Sequence, residues 1–246
     1  MKRKIVITSV FLLLIFGLVQ TAFGELIDRG SGLIYDTVLD VTWLQDANYS
    51  DTTGYDDMQY GSDYLGQLTY NDAENWADNL SYYDSVRNTV WNDWRLPGIK
   101  PTKPGGYDLT WNYDGSTDNG FNITSPNNEL AHLYYVTLGN LGSTSPDGVR
   151  PQPGWVWGIL ETGPFMNLKN SYWSESDLIN DSLYGYFVFS NGEQLFSDNA
   201  TSSFKFAWAV RDGDVGDYSN PIPEPSTIIL FSISLLGLAG VARRKS

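Results

Sequence analysis

The clearest strand signal of the chain is Phe204-Lys205-Phe206-Ala207-Trp208-Ala209-Val210-Arg211. Large apolar residues alternate there with lysine, alanine and arginine, so an extended chain would have one apolar face and one small or charged face. Further short β-rich runs, separated by Gly, Pro, Asn and Asp clusters, precede it. These predicted strands are Trp155 to Leu160, Tyr172 to Ser174, Tyr184 to Phe189 and, after the Asn191-Gly192 turn, Gln194 to Phe196. The second half of the chain is therefore predicted to be a sheet.

The first half is predicted to contain a hairpin followed by two helices. The hairpin joins Gly32 to Tyr35 with Val41 to Leu44. The first helix runs from a cap at Thr69 or Asn71 to about Leu80, and the second begins at Ser125-Pro126 and ends at Gly139, because apolar residues recur there at helical spacing. The residues predicted to face the core are Ala73, Trp76, Ala77 and Leu80 in the first helix and Leu130, Leu133, Tyr134 and Leu138 in the second.

Two stretches of the first half are predicted to be loops. Ser50 to Gly66 combines four aspartates with Gly and Tyr and has no apolar periodicity. Gly98 to Thr124 is longer and rich in Gly, Asp and Asn, and it follows a short buried strand predicted at Trp94 to Pro97. Long loops inside a compact domain are commonly functional or mobile. Together these elements predict one α+β domain over residues 25–215, with two helices, a small antiparallel sheet and long loops.

Charge and composition exclude several classes of function. Six of the fifteen Lys and Arg lie at residues 2–4 and 243–245, so the segment between them carries 29 acidic and nine basic residues, a formal net charge of −20. Such a field repels phosphates, and we expect no nucleic-acid partner. The chain has no cysteine, which excludes disulfides, thiol catalysis and Cys-ligated metal. Nine Trp, sixteen Tyr and eleven Phe supply a core, or surfaces that stack on flat ligands.

The first 24 residues have the pattern of a secretory signal peptide. Lys2-Arg3-Lys4 is followed by an apolar stretch from Ile5 to Val19 and by small residues at Ala22 and Gly24. Small residues at these two places predict cleavage before Glu25. The domain is therefore expected to be exported.

The opposite end carries a tripartite tail at residues 223–246, after a linker at 216–222. Glu224 lies between Pro223 and Pro225, which hold the backbone extended and accessible. The apolar run from Thr227 to Ala242, as a helix of about 24 Å, spans a hydrocarbon core of about 30 Å only marginally. Arg243-Arg244-Lys245 would hold the far end on the cytoplasmic side.

This tail resembles the PEP-CTERM sorting signal of Gram-negative bacteria. The resemblance implies recognition of Pro223, Glu224 and Pro225 by an exosortase-type membrane enzyme, with Arg243 and Arg244 as part of the basic stop. It implies a transient inner-membrane precursor and then release of the domain to the cell surface or the extracellular matrix. An ordinary single-pass C-terminal anchor is the alternative.

Several motifs of the domain resemble the Lcl C-terminal domain family, whose relatives have a C-type-lectin-like fold. The motifs are Gly32 to Asp36, Val41 to Tyr49, Trp94 to Pro97, Glu129 to Asn140, Tyr172 to Ser174 and Ala207 to Arg211. The resemblance implies a fold with two helices, a small antiparallel sheet and long loops. Binding of glycans or proteins through such loops is common in that fold, although a fold alone does not confer a function.

The candidate ligand-binding residues lie in the long loop of the first half. An aromatic and carboxylate platform for a sugar is predicted from Trp111, Tyr113, Asp114, Asp118 and Asn119. A Gly/Asp-rich loop without a ligand is the alternative.

No metal site, cofactor or catalytic residue is predicted, although the pattern leaves calcium binding open. Trp91-Asn92-Asp93 copies a triplet of calcium-dependent lectins, but the partner loop with a carboxylate is missing upstream, since Ser125-Pro126-Asn127 comes afterwards. Neither the Asp51 to Asp63 loop nor Asp212-Gly213-Asp214 has EF-hand spacing. His132, the single histidine, builds no triad or metal cluster by itself.

These observations favour an exported, non-catalytic surface or matrix protein that binds a polysaccharide or a surface protein. A secreted carbohydrate-active enzyme with paired carboxylates is the first alternative, because so acidic a chain offers many pairs. A structural surface component without a discrete ligand is the second.

Overall fold

The computed structural model describes residues 25–61, 63–154, 157–176 and 183–216. The predicted signal peptide and the predicted tail lie outside these residues. The chain divides after Val215 into two compact units, and the fold below is that of the first. Within the described ranges, no helix has the length and apolar character needed to cross a membrane.

The first sheet has four antiparallel strands in the order β1-β2-β3-β14. Its strands are β1 (Leu26–Asp28), β2 (Leu33–Asp36), β3 (Val41–Leu44) and β14 (Val210–Asp212). The β2–β3 pair is the predicted hairpin, which is confirmed. The buried carboxylate of Asp36 accepts from the backbone N–H groups of Val38 and Leu39 and so fixes the turn.

The second sheet is larger than predicted and is not purely antiparallel. Its order is β4-β13-β10-β11-β12-β9-β8, with β7 also paired to β10, and the β10–β13, β10–β7 and β8–β9 pairs are parallel. The strands are β4 (Gln67–Leu68), β7 (Gly98–Ile99), β8 (Trp111–Asn112), β9 (Asn119–Gly120), β10 (Tyr172–Ser176), β11 (Tyr184–Val188), β12 (Glu193–Ser197) and β13 (Lys205–Phe206). The hairpin β5 (Tyr82–Asp84) with β6 (Thr89–Trp91) stands apart from both sheets. The predicted β10, β11 and β12 are confirmed.

The predicted single strand from Phe204 to Arg211 is wrong, because the chain there passes from one sheet to the other. Residues 205–206 pair in the second sheet and residues 210–212 pair in the first. Ala207, Trp208 and Ala209 between them are fully buried, so no face of this segment is exposed there.

The described residues contain four helices, two more than predicted. They are α1 (Tyr49–Thr52), α2 (Tyr55–Tyr60), α3 (Tyr70–Asp78) and α4 (Glu129–His132), the last continued by a π turn at Leu133–Thr137. The expected loop at 50–66 is thus partly helical. Helix α3 is the first predicted helix, and the Thr69 side chain caps it by accepting from the Asp72 N–H at 3.3 Å.

Helix α4 begins three residues later than the Pro126 signal predicts. The side chain of Asn128 donates to the Lys100 carbonyl and accepts from the Gln194 amide at 2.7 Å, so residues before it pair with the neighbouring loop instead of coiling. The inward residues Leu130, Leu133, Tyr134 and Leu138 are buried as predicted. Gly139, at φ 69°, ends the helical segment.

Two other predicted strands are not found. Trp94 to Pro97 makes a single β-bridge, from Arg95 to Val210. Residues 157–160 form a turn closed by the Leu160 N–H on the Gly158 carbonyl, with Gly158 at φ 98°. Residues 155–156 of that predicted strand lie outside the described residues.

The core lies between the two sheets and is dominated by aromatic rings. Trp208 is at its centre, with ring centroids 4.8 Å from Trp43, 4.8 Å from Phe165 and 5.4 Å from Tyr172. The indole N–H of Trp208 donates to the Leu44 carbonyl at 2.7 Å.

Taken together, the strands and helices given above make a mixed α/β domain, which is mostly sheet with few helices.

Candidate functional site

The predicted aromatic residues lie together on the outer edge of the second sheet. Trp111 is on the edge strand β8 and is 47 % exposed, and Tyr113 follows it and is 38 % exposed. Their ring centroids are 6.4 Å apart in an edge-to-face arrangement, and Trp111 also meets the buried Phe121 ring at 6.0 Å. Two large aromatic faces are thus accessible at one place.

A carboxylate that the sequence did not single out fixes the orientation of Trp111. The indole N–H donates to Glu193 Oε1 at 3.0 Å, and Glu193 Oε2 accepts from the Asn191 side-chain amide at 3.3 Å. Strand β9 lies between β8, which carries Trp111, and β12, which carries Glu193. Gly120 of β9 has φ 125°, and a side chain at this position would clash with the Asn112 carbonyl of β8. We call Trp111, Tyr113, Glu193 and Asn191 the Trp111 surface. In the sequence, the only feature that pointed to Glu193 is its place directly after the Asn191-Gly192 turn.

The predicted polar residues of the same loop mainly hold its shape. Asp118 is 1 % exposed, and its two oxygens accept from the Thr102 and Asp108 N–H groups at 2.7 and 2.8 Å. Asn119 donates to the Leu109 carbonyl at 3.0 Å. Asp114 is exposed, and hydrogen bonds from Ser116 hold its pKa below the ordinary value. Of the predicted platform, Trp111, Tyr113 and Asp114 face solvent, whereas Asp118 points inward.

A cleft of about 530 Å³ adjoins the Trp111 surface and shares Asn191 with it. Its lining residues are Ser143, Arg150, Pro151, Trp157, Ser190 and Asn191. The Arg150 guanidinium lies 6.0 Å from the centre of the Phe121 ring, the same ring that supports Trp111. We call this cavity the Arg150 cleft. Its volume is in the range of about 300–1,000 Å³ that is usual for small-ligand sites.

The lectin-like triplet at Trp91-Asn92-Asp93 is engaged in packing. Both Asp93 oxygens accept from the Arg211 guanidinium, at 2.9 and 2.7 Å, which lowers the pKa of the carboxyl. The same guanidinium lies 4.3 Å from the centre of the Trp91 ring. In the described part of the chain, no group of three or more His, Cys, Asp or Glu is placed to hold a metal ion.

The other candidate polar residues also have internal partners. The buried Asp56 accepts from the Gly66 N–H at 2.5 Å, and Asp51 accepts from the Asn48 amide at 2.8 Å. His132 is buried on α4 with Nδ1 2.8 Å from the Thr124 carbonyl oxygen. Asp51 and Asp56 thus have hydrogen-bond partners within the 48–66 segment, and His132 joins α4 to the segment before it.

A second, smaller cleft of about 240 Å³ is built around an ion cluster. Arg95 donates to both oxygens of Glu129, each at 2.8 Å, and to Asp212 Oδ1 at 2.6 Å. Burial by itself lowers the pKa of Arg95, but the two carboxylates raise it above its ordinary value. The cluster ties the β-bridge of Arg95 to α4 and β14.

Comparison with known families matches the PEP-CTERM protein-sorting motif to residues 221–245. Neither the curated proteins nor the solved structures returned a match, so the Lcl resemblance rests on the quoted motifs alone. The match covers the tail and not the domain that carries the Trp111 surface. The motif implies processing by an exosortase-type enzyme and an exported protein that passes through the membrane to the cell surface.

Proposed function

We propose that the domain is a non-catalytic, glycan-binding module of the cell surface or extracellular matrix, with the Trp111 surface as its binding site. In this proposal residues 1–24 are the signal peptide, residues 25–215 a C-type-lectin-like domain, residues 216–222 the linker and residues 223–246 the sorting signal. The precursor is held in the inner membrane of a Gram-negative cell until an exosortase cuts near Pro225. The proposal includes no cofactor, and calcium binding is its alternative.

The observation that carries the proposal is an exposed tryptophan with a fixed orientation. Trp111 is held by its hydrogen bond to Glu193 and by edge contacts with Tyr113 and Phe121. A side chain already held in place loses little conformational entropy when a ligand stacks on it. Aromatic faces beside a few polar groups are the usual composition of a small-ligand site, and Glu193 and Asn191 supply those groups.

The enzymatic alternative has less support at this site. A glycosidase needs two carboxyl groups separated by about 5–10 Å across the scissile bond. Glu193 is occupied by hydrogen bonds from Trp111 and Asn191, and no Asp or Glu is among the described residues that line the Arg150 cleft. The further alternative, a structural component without a ligand, leaves the exposed and oriented Trp111 without a role.

A glycan array with three forms of the exported protein tests the proposal. Trp111→Ala removes the stacking face, and we expect binding to fall by about 30-fold or more, the loss typical of a central aromatic contact. Tyr83→Ala is the matched control, because Tyr83 is 58 % exposed on the separate β5–β6 hairpin and bonds only locally, to Asn88. Equal binding by the two variants, or release of cleaved product from any glycan, would overturn the proposal.

A further inference from the structure

The Arg150 cleft contains an arginine without a carboxylate partner. The described residues include five arginines, and four of them form ion pairs: Arg29 with Asp214, Arg87 with Asp84, Arg95 with Glu129 and Asp212, and Arg211 with Asp93. Arg150 has no such pair among the described residues, although acidic residues outnumber basic ones about threefold between the two termini. The Arg150 side chain is exposed at the cleft, so its guanidinium is accessible to an external anion.

Two further donors at the same cleft have no partner. Ser143 is 3 % exposed, and its Oγ forms no hydrogen bond with any described residue. The buried Nε1 of Trp157 is also without a partner there. Both residues line the cleft beside Arg150. A buried polar group without a hydrogen bond destabilises the protein, so a ligand acceptor that reaches these two buried groups after a small rotation of the side chains would be bound favourably.

Two backbone hydrogen bonds connect the segments that form the cleft. The Ser143 N–H donates to the Asn191 carbonyl at 2.8 Å, and the Gln152 N–H donates to the Ser143 carbonyl at 2.8 Å. The first bond joins the cleft to the β11–β12 turn, which also carries Glu193. A ligand in the cleft would therefore lie beside Asn191, the residue that the cleft shares with the Trp111 surface.

We propose that the Arg150 cleft binds the carboxylate of a uronic acid residue, while the neighbouring neutral sugar lies on the Trp111 surface. This inference rests on the proposed function and names the chemical class of its ligand. The guanidinium supplies two parallel N–H donors that match a carboxylate, and Ser143 and Trp157 supply single donors. Trp157 and Pro151 line the same cleft and supply an apolar surface against which a sugar ring can pack.

The overall charge limits how acidic the ligand is. The segment between the termini carries −20, a field that repels a polymer charged at every residue. One carboxylate beside Arg150 is bound at short range, where screening by salt is weak, whereas distant repulsion falls off beyond about 8 Å at physiological ionic strength. The inferred ligand is therefore a mostly neutral glycan with an isolated uronic acid.

The test compares cellobiouronic acid with cellobiose, which differ only in one carboxylate. Calorimetric titration of the exported protein is expected to show that the acid binds about two- to fivefold more tightly, the preference that an exposed arginine–carboxylate pair predicts. Arg150→Gln should abolish that preference, whereas Arg150→Lys should retain part of it because the charge remains without the fork. Lys100→Gln is the matched control, since it removes the same charge at the other cleft and should keep the preference.

Ser143→Ala supplies a second readout that does not depend on charge. Because Ser143 Oγ has no hydrogen-bond partner among the described residues, the variant is expected to fold with unchanged or slightly higher stability while losing affinity for the acid alone. Loss of cellobiose binding to the same degree would contradict the assignment.

The remaining outcomes separate the inference from the proposed function. Equal binding of the two disaccharides, or a preference that survives Arg150→Gln, overturns the inference. If neither disaccharide binds but another glycan binds in a Trp111-dependent way, the inference is also overturned. The proposed function is then still supported. If no glycan binds, both fail. If acetyl-Gly-Gly binds through its free carboxylate in an Arg150-dependent way and cellobiouronic acid does not, the occupant is a peptide end and the inference is wrong.

Discussion

Substitution of Trp208 tests whether the segment that joins the two sheets is the centre of the fold. Trp208 is fully buried, its ring contacts Trp43 and Phe165 at 4.8 Å each, and its N–H satisfies the Leu44 carbonyl at 2.7 Å. Trp208→Phe keeps an aromatic ring but removes that donor and leaves a cavity where the second ring of the indole lay.

The expected cost has two parts. Leaving a buried carbonyl without its donor costs about 1–3 kcal/mol. Losing about two buried CH₂-sized groups, with the cavity they leave, costs about 1–2 kcal/mol more. Trp208→Phe should therefore lower the free energy of unfolding by about 2–5 kcal/mol. With a urea m-value of about 2 kcal/mol/M, the midpoint should fall by about 1–2.5 M.

Urea denaturation of the exported protein, followed by near-ultraviolet circular dichroism, measures this change. Trp111→Phe is the matched control, because it removes a tryptophan whose N–H is also bonded but which lies at the surface. We expect the control to cost below about 1 kcal/mol. If Trp208→Phe costs no more than Trp111→Phe at an unchanged m-value, the reasoning about the joining segment is refuted.

Three further predictions concern the ion cluster, the acid response and the tail. Glu129→Gln leaves the mostly buried Arg95 with one exposed partner, so it should lower the free energy of unfolding in urea by about 2–3 kcal/mol. Asp212→Asn should lower it by less than about 1 kcal/mol, because the Asp212 side chain is 82 % exposed. Equal losses for the two variants would contradict the role of the cluster. Burial raises the pKa of Asp84, but hydrogen bonds from Arg87 and Trp91 outweigh it and lower the pKa below the ordinary value. The Asp84 carboxylate therefore stabilises the fold above about pH 4, and this stabilisation is lost as the pH falls through the pKa of Asp84 in the folded protein. Asp84→Asn should make the urea midpoint decline less steeply below about pH 4. An unchanged slope would contradict this role of Asp84. Glu224→Ala should leave uncut precursor in the membrane fraction, and intact-mass analysis that finds residues 243–246 on wild-type exported protein would refute processing.

Local signals in the sequence predicted the elements that short-range contacts define. The β2–β3 hairpin depends on two β-rich runs and on an aspartate that caps the turn between them. Helix α3 depends on the Thr69 cap and on apolar residues at helical spacing. Both are determined within about fifteen residues of chain, so the sequence alone was sufficient.

Long-range contacts decided the elements that the sequence misplaced. The alternation in Phe204 to Arg211 indicates one strand, but Lys205 pairs with Leu68 whereas Val210 pairs with Trp43, and the chain must bend between them. Helix α4 starts late because Gln194, 66 residues away, binds Asn128. No local pattern contains either contact.

The candidate site was predicted in part for the same reason. The exposed rings of Trp111 and Tyr113 belong to one loop and were recognised from its composition. Glu193 reaches Trp111 from 82 residues away, and Arg150 and Ser143 come from a third segment. The composition of the loop predicts Asp118 as a carboxylate of the sugar platform, whereas this carboxylate accepts two backbone hydrogen bonds inside the loop.

The most direct test of the Trp111 surface is the indole ¹⁵N–¹H spectrum of the exported protein, recorded while the best-binding oligosaccharide of the glycan array is added. Trp173 and Trp208 donate to the Leu68 and Leu44 carbonyls inside the core, and their signals should not move. The signals of Trp111 and Trp157 should shift together and saturate with the binding curve. Saturable binding that leaves the Trp111 signal in place would contradict the account.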